Sequence, residues 1–258
     1  MKLSCVTASY VADLLGYPGS IDWGYAADTI VQAPMLETID GMLERLAPAK
    51  LDGIEFWFPH IWPAKITPVL AGEILKRLAD RGMICAACAG DAGDPVNDPY
   101  RTAAIFQTTR LMEASIIAGH FDPPSVPGLG KFGEKYGVYA TFENDHQKEI
   151  AEIEAAIKGG NRWIAANLDT GNFAGQGGDP VKAVRVLGAR IKHVHFKDVP
   201  AGAHDCVELG KGIVDIKGVM RELKAVGYDG WLSIEIETYD RDPTDEIIAS
   251  AETLRRLL

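Results

Sequence analysis

Four short segments in the second half of the chain each end an apolar run on a side chain able to hold a metal ion. They are Tyr139-Ala-Thr-Phe-Glu143, Ile164-Ala-Ala-Asn-Leu-Asp169, Ile191-Lys-His-Val-His195 and Trp231-Leu-Ser-Ile-Glu235. Three carboxylates and one imidazole form an oxygen-rich donor set, best matched to Mn2+ or Mg2+ and open to Co2+ or Zn2+. The steps between the terminal residues are 26, 26 and 40 residues, about what one strand-plus-helix unit with its loops occupies. In a parallel barrel all strands point the same way, so four strand C-termini meet at one mouth.

The elements that must position these groups alternate along the whole chain, which predicts an α/β fold with a parallel sheet. Strand patterns cover 3–8, 52–57, 83–89, 115–120, 138–143, 163–169, 191–196 and 231–236, eight in all. Between them lie amphipathic stretches: Leu36, Ile39, Leu43 and Leu46 share one helical face, as do Leu70, Ile74 and Leu78. Asn97-Asp98-Pro99 opens a helix running to about Glu113, with the proline suited to its first turn. Later helices are expected over 145–158, 179–187, 215–226 and 243–257. At 258 residues without an interior linker or repeat, the expectation is one domain, 1–258, folded as a single (β/α)8 TIM barrel.

Two regions depart from a regular barrel. An extended loop is expected after strand 1, over 10–33, where Tyr10, Tyr17, Trp23 and Tyr25 suggest an active-site lid or a partner contact. The proline- and glycine-rich run 121–137 leaves room for one or two helical turns, so a shortened helix 4 region is expected. Its thin outer ring would be covered by another copy of the chain or by a different subunit.

Composition sets the class. Hydrophobic content of 47% with 24% charged residues is that of a globular protein, and no apolar run approaches the ~20 residues of a membrane helix. The first residues enter a strand pattern without a signal-peptide core, so the cytoplasm is the expected location. A net charge of −10 argues against nucleic-acid partners, whose phosphates demand a cationic surface. Cys85 and Cys88 are spaced as C-x-x-C within a strand, facing opposite sides, with no second pair to complete a zinc knuckle. They are read as packing residues.

Each candidate has a plainer alternative. Asn144, Asp145 and Asp169 are all good turn or cap residues, but capping does not explain a glutamate closing a buried strand at 143. His193, His195 and Lys197 share a strand face by period two, and burying all three requires partners. Glu235 and Glu237 likewise share a face. Lys197 would bind an anionic group or stabilise an enolate, unless it is a rim lysine paired with Asp198 or Glu237. Glu55 is either a substrate ligand or a partner behind the metal ligands. Trp57, Phe58, His60 and Trp62 form a stacking wall for a sugar or ring, or ordinary aromatic packing. His120, at the end of strand 4, is a substrate contact or a structural residue.

Around these residues the chain resembles a family. Phe142-Glu-Asn144, Leu168-Asp-Thr-Gly-Asn172, His193-Val-His-Phe-Lys-Asp198, Glu208-Leu-Gly-Lys-Gly-Ile-Val-Asp215 and Gly227-Tyr-Asp-Gly-Trp-Leu-Ser-Ile-Glu235 are similar to the xylose isomerase-like sugar phosphate isomerase/epimerase barrels. The resemblance is strong over 138–258 and looser before. It implies one catalytic divalent ion held by Glu143, Asp169, His195 and Glu235, and it selects Glu235 over Glu237 as the fourth ligand. It also implies that Glu143 and Glu235 exchange protons with substrate carbon, giving isomerisation or epimerisation of a small ketose, keto acid or sugar derivative through an enediolate. Lys197 would join them in catalysis, while Glu55, Trp57, His60, His120, Asn172 and Glu237 would contact substrate. Asn172 stands where many members carry a histidine, which argues against the three-zinc nucleases of the superfamily. Two further outcomes are implied: a lyase eliminating from a keto-cyclitol or 3-keto-glycoside, with Lys197, His146 or His204 as proton donor, or a degenerate barrel serving as a binding or partner subunit.

Overall fold

The computed structural model describes residues 1–202 and 205–258. All eight expected strands form: β1 (Lys2–Val6), β2 (Gly53–Trp57), β3 (Ile84–Ala89), β4 (Ile116–Gly119), β5 (Tyr139–Glu143), β6 (Ile164–Asp169), β7 (Ile191–Phe196) and β8 (Trp231–Ile234). Each pairs in parallel with the next, and β8 returns to β1, closing a TIM barrel. Among the described residues ten α-helices surround it: α1 (Trp23–Gln32), α2 (Met35–Leu46), α3 (Pro68–Ala79), α4 (Pro99–Leu111), α5 (Val126–Tyr136), α6 (Ile150–Ala156), α7 (Thr170–Gly175), α8 (Pro180–Leu187), α9 (Ile216–Ala225) and α10 (Thr244–Arg255).

Helix starts follow local chemistry. Thr67, Asp98 and Asp179 each accept a backbone N–H from the first turn and are each followed by a proline at the first helical position, where no donor is lost. Period two then divides the strands. Ile54, Phe56, Leu168 and Val194 face the helices, within one large apolar cluster that also takes Ile39, Leu43, Ile74 and Leu78. The lumen is different in kind. It carries Ser4 bonded to Ser233 at 2.8 Å, Thr141 bonded to the Ile117 carbonyl, and the buried Glu55, Asn167 and His193.

Three expectations need correction. Residues 10–33 are not an extended loop: α1 occupies 23–32, capped by Asp22, and Tyr10 is a core residue bonded to Thr244. Of the four aromatics there, Trp23 lines the mouth. The 121–137 region is not shortened either, because α5 runs for 11 residues. Pro127 falls in its first turn, where the missing donor costs nothing. A Cβ on Gly133 would lie 2.5 Å from the Trp163 Cβ, so glycine here marks close packing and not a break. Cys85 and Cys88 do not face opposite sides. A bulge opposite Ile54 and Glu55 pairs Cys85 with Ile54 and Cys88 with Phe56, and the extra residue reverses parity. Both thiols therefore lie buried in the outer core, unbridged.

Candidate metal centre

Glu143 closes β5, Asp169 closes β6, His195 sits one residue from the end of β7 and Glu235 follows β8 directly. Their ligand atoms all lie within 4.8 Å of one another, and all four residues are buried. His195 Nδ1 is 3.0 Å from Glu143 Oε1 and 3.1 Å from Glu235 Oε2. The other ring nitrogen, Nε2, is 3.0 Å from Glu55 Oε1, and the second Glu55 oxygen is 2.7 Å from His193 Nε2. Nε2 donates to Glu55. Nδ1, which as an imidazolium donates to the carboxylates, is the nitrogen that would turn its lone pair to an ion on losing its proton. Glu55 fixes the ring as the partner of a ligand histidine does.

Asp169 divides its work. Oδ1 accepts the Asn172 backbone N–H at 2.7 Å, capping α7, while Oδ2 lies 3.1 Å from Lys197 Nζ. Capping thus occupies one oxygen only, and leaves Oδ2 toward Lys197 and the other three residues of the quartet. Lys197 Nζ is also 3.1 Å from Glu235 Oε2 and 3.1 Å from Glu237 Oε2. A Cβ on Gly171 would meet Lys197 Cγ at 2.6 Å, so the glycine after Thr170 leaves the lysine its path.

Electrostatics test whether an ion belongs here. Five buried or half-buried carboxylates (Glu55, Glu143, Asp169, Glu235, Glu237) surround two cationic side chains, Lys197 and His195. Burial, with Glu235 and Glu143 close by, pushes Asp169 up to about 7 despite Lys197. Burial acts on Glu237 in the same way, also to about 7. Burial would raise Glu235 too, but Lys197 and His195 outweigh it and hold the carboxyl at about 2. For His195, burial is overcome by Glu143, Glu235 and Glu55, which raise it well above its usual value. Asp169 Oδ2 and Glu235 Oε2 accept no well-aligned hydrogen bond; each is held by charge alone, 3.1 Å from Lys197 Nζ. A negative excess and four ligand atoms within 4.8 Å of one another are what a divalent cation satisfies, so the residues fit the group.

The centre opens into a cavity of about 430 Å3. Of the residues singled out from the sequence, Trp57, His120, Asn172, Lys197 and Glu237 line it with Glu143, His195 and Glu235. Glu55 does not: it has no exposed surface and lies behind His195. His60 is also outside the cavity, buried edge-on against Trp57, where burial pushes its imidazole down to about 4. His146 is exposed, 2.9 Å from Asp145, and lines an adjoining cleft. His204 lies outside the described residues. Cys206 is buried and its thiol is pushed up to about 12 by burial.

Sequence reasoning missed several contributors. Asn144 is fully buried and exchanges two hydrogen bonds with the Asp169 backbone, at 2.9 and 3.0 Å, so it clamps β5 to β6 where their ligands emerge. Asp91 and Tyr239 line the cavity. Asp91 could have been found as a polar residue just past a strand C-terminus, and Tyr239 by period two from Glu237. Trp23 meets Trp57 edge-on, with ring centres 5.4 Å apart; no period in the sequence announces that contact.

A family model described as xylose isomerase-like TIM barrel matches residues 127–257, just over half of the chain. The chain belongs to that family. The match spans β5 to β8 and thus the whole quartet. Among similar proteins, the inosose dehydratase of Lacticaseibacillus casei is 33% identical over 118 residues, 39% of this chain and 37% of that protein. The match therefore covers about two fifths of the length of the curated relatives. In structure, this xylose isomerase-like barrel is similar to an L-ribulose 3-epimerase (20% identity, 100% of this chain and 94% of that one, TM-score 0.73). It is also similar to the probable 3-DHS dehydratase AsbF of Bacillus anthracis (16% identity, 99% of both chains, TM-score 0.69). Those two likenesses show the fold.

Proposed function

We propose that this chain, as one barrel domain, is a divalent-metal-dependent enzyme that isomerises or epimerises a small sugar-like ketone. The observation carrying the proposal is the buried quartet Glu143, Asp169, His195 and Glu235, whose ligand atoms converge within 4.8 Å with carboxylates in excess of cations. The same four residues would hold the ion, with Glu55 fixing His195 from behind. When bound, a divalent ion supplies Lewis acidity to a substrate carbonyl and lowers the cost of negative charge on its oxygen.

The protein's own groups do the rest. Glu143 ends β5 and Glu235 follows β8, and both line the cavity. One removes the proton α to the carbonyl and the other returns a proton from the other side, through an enediolate. Lys197, charged and fixed between Asp169, Glu235 and Glu237, adds a permanent positive charge near the developing oxyanion. Asn172 and His120 are placed to hydrogen-bond substrate hydroxyls, with Trp57 and Trp23 beside them. The net charge of −10 and the acidic mouth favour a neutral, sugar-like small molecule over nucleic acid. Among the described residues no helix is long and apolar enough to cross a membrane.

Elimination is the second reading, favoured by Lys197 and His120, which both line the cavity, since a proton donor there could assist departure of a β-hydroxyl as water. The similarity to inosose dehydratases over β5–β8 supports it as well. The partner-subunit reading loses its basis, because the 121–137 region is a full helix.

Two measurements test the proposal. Metal analysis of purified protein should find about one divalent ion per chain, with Mn2+ the first ion to try. Candidate ketoses incubated in deuterated water should gain α-deuterium without net loss of mass. An ultraviolet-absorbing enone would move the assignment to elimination, and full activity without any bound metal would overturn both.

A further inference from the structure

Beside the carboxylate centre lies a second cleft of about 420 Å3, and the two share Trp57, Gly90 and Asp91. Its walls are of another character: Phe58, Pro59, Trp62, Pro63, Ala104 and Ile105. Charge occurs at its edge, where Asp91 and Arg101 pair at 3.0 Å. Gly90 forms the saddle between the clefts. Its φ is +128°, and a Cβ there would stand 3.1 Å from the Phe58 ring and 3.7 Å from the Trp57 ring. Any larger residue would narrow the passage, and the backbone itself favours glycine. Trp57 is placed to serve both clefts, and its ring is braced by Trp23 on one side and His60 on another.

We propose that this cleft is a substrate subsite for a flat apolar ring, so that the preferred substrates are sugar conjugates with an aryl or similarly apolar group. The inference rests on the sugar-directed reading of the carboxylate centre and deepens it. The sugar part occupies the polar cavity, and the ring passes over Gly90 to lie between Trp57, Trp62 and the α4 face at Ala104 and Ile105. Apolar surface meeting tryptophan and proline at the end of a polar cavity is the arrangement that recognises an amphipathic conjugate. A free ketose would leave the second cleft solvated.

The test uses the full chain loaded with Mn2+ and two probes, phenyl β-D-glucopyranoside and methyl β-D-glucopyranoside, titrated by calorimetry and by tryptophan fluorescence. The phenyl compound should bind at least about tenfold more tightly. Ala104→Trp fills the cleft from α4, on the side of Trp57 and Gly90 away from Glu143, His195 and Glu235. It should bring the ratio close to one while Mn2+ loading stays unchanged and methyl glycoside affinity changes far less than phenyl glycoside affinity. Trp62→Ala should cut the phenyl preference several-fold and serves if Ala104→Trp does not fold. Equal affinities in the wild type, failure of both glycosides to bind, or a preference surviving in a folded Ala104→Trp protein would each overturn the subsite. Mn2+ titration is read separately. Phenyl preference without ion binding would sink the metal-enzyme reading alone, and ion binding without preference would sink the subsite alone.

Discussion

Two clusters of histidine and carboxylate are stacked inside this barrel, and they share one ring. Above His195 lie Glu143, Asp169 and Glu235; below it lie Glu55 and His193, and either trio or quartet has ligand atoms close enough for an ion. Their bonding separates them. Below, each Glu55 oxygen meets one imidazole, at 2.7 and 3.0 Å, and both histidines hold Glu55 well below the usual carboxylate range, although burial alone would raise it. Above, carboxylates outnumber cations, and one ammonium, Lys197, is shared among Asp169, Glu235 and Glu237. Residue type and spacing alone do not make a metal site; unsatisfied charge does. In the lower cluster both Glu55 oxygens are satisfied and only His193 Nδ1 lacks a partner; on the reading proposed above, the upper cluster is the one an ion would complete.

The sharpest way to break this distinction is to delete an upper ligand. Glu143→Ala or His195→Ala should abolish ion binding and lower turnover by about a thousandfold or more, as expected when a metal's charge stabilisation is removed. Retained activity with either variant, measured beside metal content, would end the catalytic-metal reading. The lower cluster should respond in a different currency. His193→Leu leaves Glu55 Oε2 buried without its partner and should cost about 3 kcal/mol of stability, read by chemical denaturation, while Mn2+ stoichiometry stays at one. Glu55→Gln keeps the shape but weakens the hold on the His195 tautomer, so Mn2+ affinity should fall about 10- to 100-fold with little change in fold. An unaltered affinity would show that Glu55 is merely a buried partner of His193.

The contrast also explains what was legible in the sequence. All eight strands and the convergence of Glu143, Asp169, His195 and Glu235 could be read because period two, apolar content and a position at a strand C-terminus are local properties. The α5 helix was hidden since its prolines and glycines resemble a break, whereas Pro127 sits in a first turn and Gly133 is set by contact with Trp163. Cys85 and Cys88 were misplaced by one bulge, which no count along a single strand reveals. The role of Glu55 was half legible. A lone glutamate in β2 signals burial with a partner, but choosing between His195 and a substrate requires knowing which strands face each other across the lumen. Trp23 and Asn144 are of the same kind, since both act through contacts between segments distant in the chain.

The smallest effect expected concerns pH, and its sign distinguishes an ion-completed cluster from a self-satisfied one. Without metal, Asp169 and Glu237 are each pushed up to about 7, by burial first. Acids raised in the folded state bind protons more tightly folded than unfolded. The stability they lend is therefore full below their unfolded values, 3.8 and 4.5, and is lost as pH rises through 7. Glu235, held at about 2, works the other way, but its contribution is lost only as pH falls well below 4.5, outside this window. The metal-free protein should therefore melt a few degrees lower at pH 8 than at pH 5. Saturating Mn2+ should flatten or reverse that slope, because the ion binds the deprotonated carboxylates and its affinity climbs over the same range. Asp169→Asn removes one of the two titrating acids, so it should reduce the metal-free slope and raise the melting temperature at pH 8, while abolishing tight ion binding. A metal-free protein whose melting temperature rises from pH 5 to 8, or an Asp169→Asn variant with the same slope as wild type, would mean that the upper carboxylates are as well satisfied as Glu55 and have no need of an ion.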